Sequence, residues 1–545
     1  MKKKKNVEIG LMFTSVLAVG GFVIFMILYP DETTKYLQTI FDSLVSFIGP
    51  ILEIVFFITF ILALYLAFGK YGKIRLGNEQ PEYSMFSYIA MMLLASLASA
   101  ALYWSFTEWA YYYQSPGLGM VPFSREALET SIGYQFFHWG VTNQAVYTVM
   151  GIAVAYAVYV KKIPSFQISA VCTSMMKGND RKKRVLGKII DFCVIFGILG
   201  GLSSSLGLAV PLATGGLRKL FEISDTHAVQ LGVIGVITLV YVVMVLLGTN
   251  RGMKVVSNGA AVLTIIFLAI VFLAGPTSFI LKNIVNSFGF MTQNLIEMSL
   301  YTDPIQDTGF VEKWTIYFEA FYLNYVAMMG IFIAKISRGR TVRQVAIATL
   351  FGISAGGWIL FGVNGSFSVK AFLDGATDVV GVINSGVGDY AIYDIIETLP
   401  FGSTVLPALI LLLVIGFVAP SMDSASLALA QTVTKKGEPK ITVRLFWCVM
   451  LAVIPMCVIL TDTSFDAIKQ LSIIISIPFI LVLLVVEIGL FKWLKMEKLN
   501  ILTNTDSWKM REYISSSCML MVSHWITMLS RFWISRISSR YVLRL

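Results

Sequence analysis

The sequence predicts an all-α integral membrane protein with about twelve transmembrane helices. Three observations carry the prediction. Of 545 residues, 57% are hydrophobic and 14% charged, and the mean hydropathy is +0.76, too little polar surface to cover a large soluble protein. The apolar residues fall in runs near the ~20 residues that one bilayer crossing needs. The weak alternating pattern of a membrane barrel is absent, and helices satisfy their own backbone hydrogen bonds in lipid.

Taken in order, MKKKK leads an apolar run to Tyr29 with no small-residue cleavage site after it, so it reads as a retained first helix rather than a signal peptide. Further apolar segments extend approximately from Ile48 to Phe68, Met85 to Tyr113, Phe137 to Val160, Ile189 to Pro211 and Ala228 to Leu247. Six more extend from Val255 to Leu281, Thr315 to Ile336, Val345 to Val363, Val405 to Thr434, Val443 to Leu460 and Leu471 to Trp493. If Lys2 to Lys5 are cytoplasmic, the alternate loops carrying Lys70 to Arg75, Lys161 to Lys188, Arg251 to Lys254, Lys335 to Arg343 and Lys435 to Arg444 fall on the same side. This is a positive-inside bias, and it places both termini in the cytoplasm. The net charge of +10 follows from this topology and from anionic lipid, so nucleic acid need not be invoked.

Amphipathic stretches from Lys282 to Met298 and around Ala391 to Leu399 interrupt the spans and suit helices lying on the membrane surface. The chain accordingly divides into residues 1–84 (N-terminal segment and helices 1–2), 85–281 (helices 3–7), 282–314 (amphipathic connector), 315–495 (helices 8–12) and a basic tail, 496–545. Cys172, Cys193, Cys448, Cys457 and Cys518 show no metal or disulfide spacing, and the three histidines make no cluster with them. No metal and no cofactor is expected. The same lack of clustered His, Cys or Asp argues against an enzyme, and nothing resembling a signalling domain follows Trp493.

Two spans tolerate polar or small residues at mid-depth and are candidates for broken helices, whose freed backbone groups can line a cavity. The third carries Ser105, Thr107 and Glu108, and the eighth carries Glu319 and Asn324. Five spans separate them, so an inverted repeat of helices 3–7 and 8–12 would make them counterparts, the pattern of a secondary transporter with its site at the repeat interface. On the eighth, Phe318, Phe321, Tyr322 and Tyr325 recur at helical spacing. Either these rings pack against neighbouring helices or they hold a ligand.

The eighth span opens Trp314, Thr315, Ile316, Tyr317, Phe318, Glu319, Ala320, Phe321, Tyr322, a variant of a Trp-Thr start followed by a tryptophan box. With IFIAKISRGRTVR after it, FHWG at Phe137 to Gly140, LGNEQPEYS at Leu76 to Ser84 and SLGLAVPL at Ser205 to Leu212, the chain resembles the betaine/carnitine/choline transporter family over about residues 8 to 495. The resemblance implies twelve helices, a leucine-transporter-like core formed by the last ten, a homotrimer in the cell membrane and small trimethylammonium substrates. The motifs are closest to the sodium-independent carnitine/γ-butyrobetaine exchangers. The third span reads Leu102-Tyr103-Trp104-Ser105-Phe106-Thr107-Glu108 where importers of the family tend to have a glycine-rich break.

Carried over by motif, the substrate box would use Tyr111, Trp139, Phe321, Tyr322 and Tyr325. Met329 falls where the exchangers place a methionine sulfur, and Lys254 where they place an arginine, so both are expected to substitute for cations at would-be sodium sites. Met329 could equally fill a gap among helices, and Lys254 could snorkel to the interface. Aromatic faces can surround a quaternary ammonium because it has no N–H to leave unsatisfied. The chain also departs from the family: Glu319, Phe321 and Tyr322 stand at tryptophan positions, Met328 replaces a glutamine that contacts carnitine's carboxylate, and Pro420 replaces a hydroxyl beside Ser421, Asp423 and Ser424. Exchange of trimethylammonium solutes is the expected activity; sodium- or proton-coupled uptake of betaine or choline is the alternative.

Overall fold

The computed structural model describes residues 6–97, 99–248, 252–386, 388–460 and 470–497. The side chains of 203, 204, 252–254, 389 and 458 also fall outside the described set. Residues up to Glu487 form one compact unit, and a second begins at Ile488. The tail from residue 498 onward, for which a basic amphipathic segment is expected, lies outside the described residues.

Two helices come first, α1 (Ile9–Leu28) and α2 (Pro30–Phe68), with Pro30 at the first position of α2, where its missing N–H costs nothing. The third span is two helices, α3 (Met85–Leu94) and α4 (Ser99–Gln114), bent by 59° at the break between them. Ser96 Oγ donates to the Leu93 carbonyl at this bend, 2.8 Å. The freed backbone is packed against Gly356, where a Cβ would stand 2.1 Å from the Leu93 oxygen. Only glycine lets the two chains approach this closely. The bend thus precedes Ser105, Thr107 and Glu108, which all sit buried inside α4.

Next come α5 (Arg125–His138), α6 (Val141–Ala155), which ends in a π-helical turn (Tyr156–Val160), and α7 (Ile168–Met175). Ser124 caps α5 by accepting from the Ala127 N–H, 3.1 Å. Then follow α8 (Asp180–Phe221), α9 (His227–Leu247), α10 (Gly252–Ala274) and α11 (Thr277–Ser299). The apolar segment expected to continue to Leu281 is divided at Gly275 and Pro276, because proline cannot donate to the preceding turn. The amphipathic connector is therefore α11, starting five residues earlier than the sequence suggests.

The eighth span, the other candidate for a break, is instead one unbroken span, a π-helical turn (Val311–Thr315) continuing into α12 (Ile316–Ile336). The remaining helices are α13 (Val342–Ile347), α14 (Ser354–Leu373), α15 (Val379–Asn384), α16 (Gly388–Glu397), α17 (Val405–Thr432) and α18 (Ile441–Leu460), followed by α19 (Gln470–Glu497). Among the described residues, ten helices are long and apolar enough to cross a membrane, the bent pair α3–α4 makes an eleventh, and the shorter apolar helix within α18 completes the expected order of spans.

Packing follows a reciprocal pattern. The third span lies on the ninth (α4 on α14) as the eighth lies on the fourth (α12 on α6), and the fifth packs on the tenth (α8 on α17). Likewise α4 touches α8 and α17, while α12 touches α17 and α8. Exchanging spans 3–5 for 8–10 maps these contacts onto one another. With five spans in each half, the second half enters the membrane from the opposite side, which is an inverted repeat.

At the basic end of α12 two of the family motifs pack on each other. Leu76 N–H donates to the Arg340 carbonyl (2.8 Å), and Gly339 N–H to the Leu76 carbonyl (2.7 Å). Arg340 Nη2 donates to the Tyr83 carbonyl, 2.6 Å, with its guanidinium 3.9 Å from the Tyr88 ring centroid. Arg338 pairs with Glu79 at 2.7 Å. The basic cluster that suggested orientation thus also clasps the α2–α3 loop to the helix expected to carry the box.

Candidate substrate site

Four of the five expected box residues converge. Trp139 caps the C-terminus of α5 at the break before α6, and α12 brings in Phe321, Tyr322 and Tyr325. The Trp139 ring lies 6.3 Å from both Phe321 and Tyr322, and those two rings are 6.2 Å apart. The three rings are inclined to one another by 62–72°. The rings meet edge to face, and a single point can lie within about 6 Å of all three centroids, the distance range of a cation–π contact. Tyr325 stacks at 4.9 Å on Phe321. Its hydroxyl donates to the Gly201 carbonyl (2.9 Å) and accepts from Ser205 (2.6 Å), both on α8.

Tyr111 does not join this triangle. It is half-buried on α4, with its ring 5.2 Å from Trp314 and 5.7 Å from Trp104. Trp314 leads to Phe318 (6.3 Å) and Phe318 to Trp139 (5.4 Å), so Tyr111 is separated from the triangle by two rings. Met329 is half-buried on α12. Lys254 lies in the first turn of α10, and its side chain is outside the described residues.

The structure adds groups that periodicity did not single out for this site. Trp139 Nε1 donates to Glu108 Oε2 at 2.9 Å, and Tyr112 donates to Glu108 Oε1 at 2.5 Å. His138 Nδ1 lies 2.7 Å from the Tyr112 hydroxyl and Nε2 lies 3.2 Å from Thr315 Oγ1. With the Tyr112 proton committed to Glu108, the consistent assignment has His138 Nδ1–H donating to Tyr112 and Thr315 donating to Nε2. Every donor in this chain then runs toward Glu108, which is wholly buried. On the other side of the box, Gln144 Nε2 donates to the Tyr322 hydroxyl (3.0 Å), Tyr147 stacks on Tyr322 at 5.1 Å, and Phe361 lies 4.8 Å from Trp139. Gln144 Oε1 is buried without a partner. The usable signal for Gln144 was a run of polar side chains, Thr142, Asn143 and Gln144, within an apolar span just after Trp139.

Asn324, Ser421 and Asp423, also noted in the spans, are engaged in packing. Asn324 Nδ2 donates to the Ser472 hydroxyl (2.7 Å) and carbonyl (2.9 Å), tying α12 to α19. Ser421 donates to the Phe417 carbonyl in its own helix, 2.9 Å. Asp423 pairs with Arg444 of α18 at 2.5 Å.

Comparison with known proteins identifies the family. The model of the betaine/carnitine/choline family transporters matches residues 10–499. A carnitine transporter of Acinetobacter baumannii is 34% identical over 489 residues, covering 89% of this chain and 88% of that protein. An Escherichia coli K12 protein described as the uncharacterized transporter YeaV is 35% identical over 444 residues, 80% of this chain and 91% of that one. Among solved structures, a Na+-coupled sialic acid symporter in a substrate-bound outward-open state shares 14% identity and a TM-score of 0.37, covering 73% of this chain and 84% of that chain. That likeness is too low to bear on function. The chain is a member of the betaine/carnitine/choline transporter family, whose members are multi-pass secondary transporters of small quaternary ammonium solutes, not enzymes.

Proposed function

We propose that the protein exchanges trimethylammonium solutes such as carnitine, γ-butyrobetaine or glycine betaine across the cell membrane, by alternating access and without sodium. The observation that carries this reading is the triangle of Trp139, Phe321 and Tyr322 with Glu108 bonded behind Trp139. Three desolvated cation–π contacts at about 2 kcal/mol each offset much of the dehydration of one cation. A carboxylate one ring away adds a compensating charge in a medium where Coulomb attraction is weakly screened. With Met328 at the family's glutamine position, Gln144 beside the box would donate to a substrate's carboxylate through the second N–H of Nε2, the first being given to Tyr322. Tyr325 completes the box, and Tyr111 lines its approach beside Trp314.

Exchange without sodium is supported by how the polar stretch of α17 is used: Ser421 is bonded within its helix and Asp423 to Arg444. Lys254 and Met329 supply the corresponding cation substitutes in this reading. The proposal also includes cytoplasmic termini, a homotrimer in contact with membrane lipid, and the division into two repeats flanking the α11 connector.

The test is uptake of labelled carnitine, glycine betaine and choline into proteoliposomes, with and without sodium and with and without unlabelled solute inside. Uptake that requires internal solute and ignores sodium supports the reading. Accumulation driven by a sodium gradient into empty vesicles overturns it in favour of concentrative import.

A further inference from the structure

Glu319 stands at a position where the family signature has a tryptophan, and the box does not account for it. It is 4% exposed, and its Oε2 has no hydrogen-bond partner. Opposite it on α2, Glu53 is 1% exposed, and neither of its carboxylate oxygens has a partner. The two helices touch where a Cβ on Gly49 would stand 2.4 Å from Ile316 Cδ1. Glu53 follows Gly49 by four residues and Glu319 follows Ile316 by three, so both carboxyl groups project from the contacting faces one turn further along. Glu53 is within electrostatic range of Glu319. It is also within range of Glu312, which is half-buried in the π-helical turn that opens the span.

No salt bridge reaches Glu53 or Glu319 among the described residues. From the elements around them, Glu312 faces the buried Asp303 and the exposed Asp307 and Lys313. Glu487 of α19 meets α2 further along, where Thr59 donates to it. Arg343, at the start of α13, binds the carbonyl groups of Ala67 and Phe68 at the far end of α2. The nearest charges acting on the pair are thus negative. Two ionised carboxylates sharing an apolar site without donors cannot both persist. A hard metal cation would take about six oxygens or more, and among the described residues no third metal ligand joins the pair.

We propose that Glu53 and Glu319 form a proton-binding pair between α2 and the box-bearing α12, loaded through Glu312, and that its protonation sets the rate at which α12 moves during transport. With one proton bound, the carboxylic acid of one residue donates O–H to the carboxylate of the other, and α2 and α12 are held together. On release the proton passes to the Glu312 carboxylate and from there to water, leaving two like charges that push the helices apart. The pair thereby converts ambient pH into a bias on the helix that carries Phe321, Tyr322 and Tyr325. This inference rests on the chain being a transporter and not on which solute it carries.

The test has two arms. In proteoliposomes, solute exchange is followed while external pH is varied from 5 to 8.5, for wild type, E53Q, E319Q and E312Q. A single linked proton gives a rate that changes by up to tenfold per pH unit, and the neutral isosteres E53Q and E319Q should flatten the profile to less than about twofold across the range. E312Q should keep the profile but slow its response to a pH jump. A flat wild-type profile, or one that E53Q and E319Q leave in place, overturns the proposal. The second arm treats the wild-type protein with a hydrophobic carbodiimide, which modifies protonated carboxyl groups, and maps the adducts by mass spectrometry. Adducts at Glu53 or Glu319 that diminish as pH rises support the pair. Their absence from both residues at pH 5 overturns it, even if the substituted proteins fail to fold. Because labelling needs no solute, its outcome is independent of whether the exchange reading holds.

Discussion

Replacing Trp139 by alanine and by phenylalanine separates its two duties. The ring closes the triangle with Phe321 and Tyr322 at 6.3 Å from each, and the indole N–H donates to Glu108 at 2.9 Å. Alanine removes both. Loss of one desolvated cation–π contact is about 2 kcal/mol, which corresponds to about thirtyfold weaker binding of a trimethylammonium solute. Phenylalanine keeps an aromatic face and loses only the donor. Because hydrogen bonds to charged groups contribute about 1.5–3 kcal/mol, Trp139→Phe should lower unfolding stability by about that much while weakening binding by less than about fivefold. Calorimetric titration of the purified protein, paired with thermal unfolding, reads both quantities. A neutral tert-butyl analogue of the solute, equal in shape and lacking charge, provides the control. Its affinity should change far less between wild type and Trp139→Ala than that of the cation. If Trp139→Ala binds the cation within twofold of wild type, or loses cation and analogue equally, the ring is packing and the cation-box argument fails.

Other outcomes follow from the packing. A Cβ at Gly151 would stand 2.5 Å from Ile333 Cγ2 and 2.8 Å from its Cβ, whereas one at Gly330 would stand 2.4 Å from Met150 Cγ. Since a β-branched neighbour cannot swing away and a methionine can, Gly151→Ala should destabilise by about 1–3 kcal/mol and Gly330→Ala by less, as read by thermal unfolding in detergent. Asp423→Ala leaves the Arg444 guanidinium without its buried carboxylate and should cost about 3–5 kcal/mol, with the double variant Asp423→Ala/Arg444→Met recovering part of the loss. Equal stability of the single and double variants would remove the pair from the fold's energetics. The Arg338 hydrogen bond holds the Glu79 carboxyl down at about 2, below its ordinary 4.5. Its contribution is therefore full above pH 4.5 and lost as pH falls from there toward 2. Unfolding temperatures of wild type and Glu79→Gln should differ by a constant amount above pH 5 and converge below pH 4.5.

The sequence by itself determined the class and the order of the helices, because crossing a bilayer demands long apolar runs and internally bonded backbone. It also marked α12, since aromatic residues at helical spacing share a face whatever surrounds them. Motif resemblance placed Trp139 beside Phe321, Tyr322 and Tyr325 and identified the family. Tertiary structure alone decided which polar residues answer one another. Glu108 and Glu319 look alike as carboxylates within apolar runs, yet Glu108 accepts hydrogen bonds from Trp139 and Tyr112 while Glu319 lies within electrostatic range of a second carboxylate from a helix more than 250 residues earlier in the chain. Helical periodicity fixes a residue's direction about its own axis and says nothing of the neighbour it meets. Small and polar residues marked the third span as a candidate broken helix, but the place of its bend was not legible, for a related reason: it depends on Gly356 admitting the Leu93 carbonyl to within reach of its backbone, a contact between two halves of the chain that no local window contains.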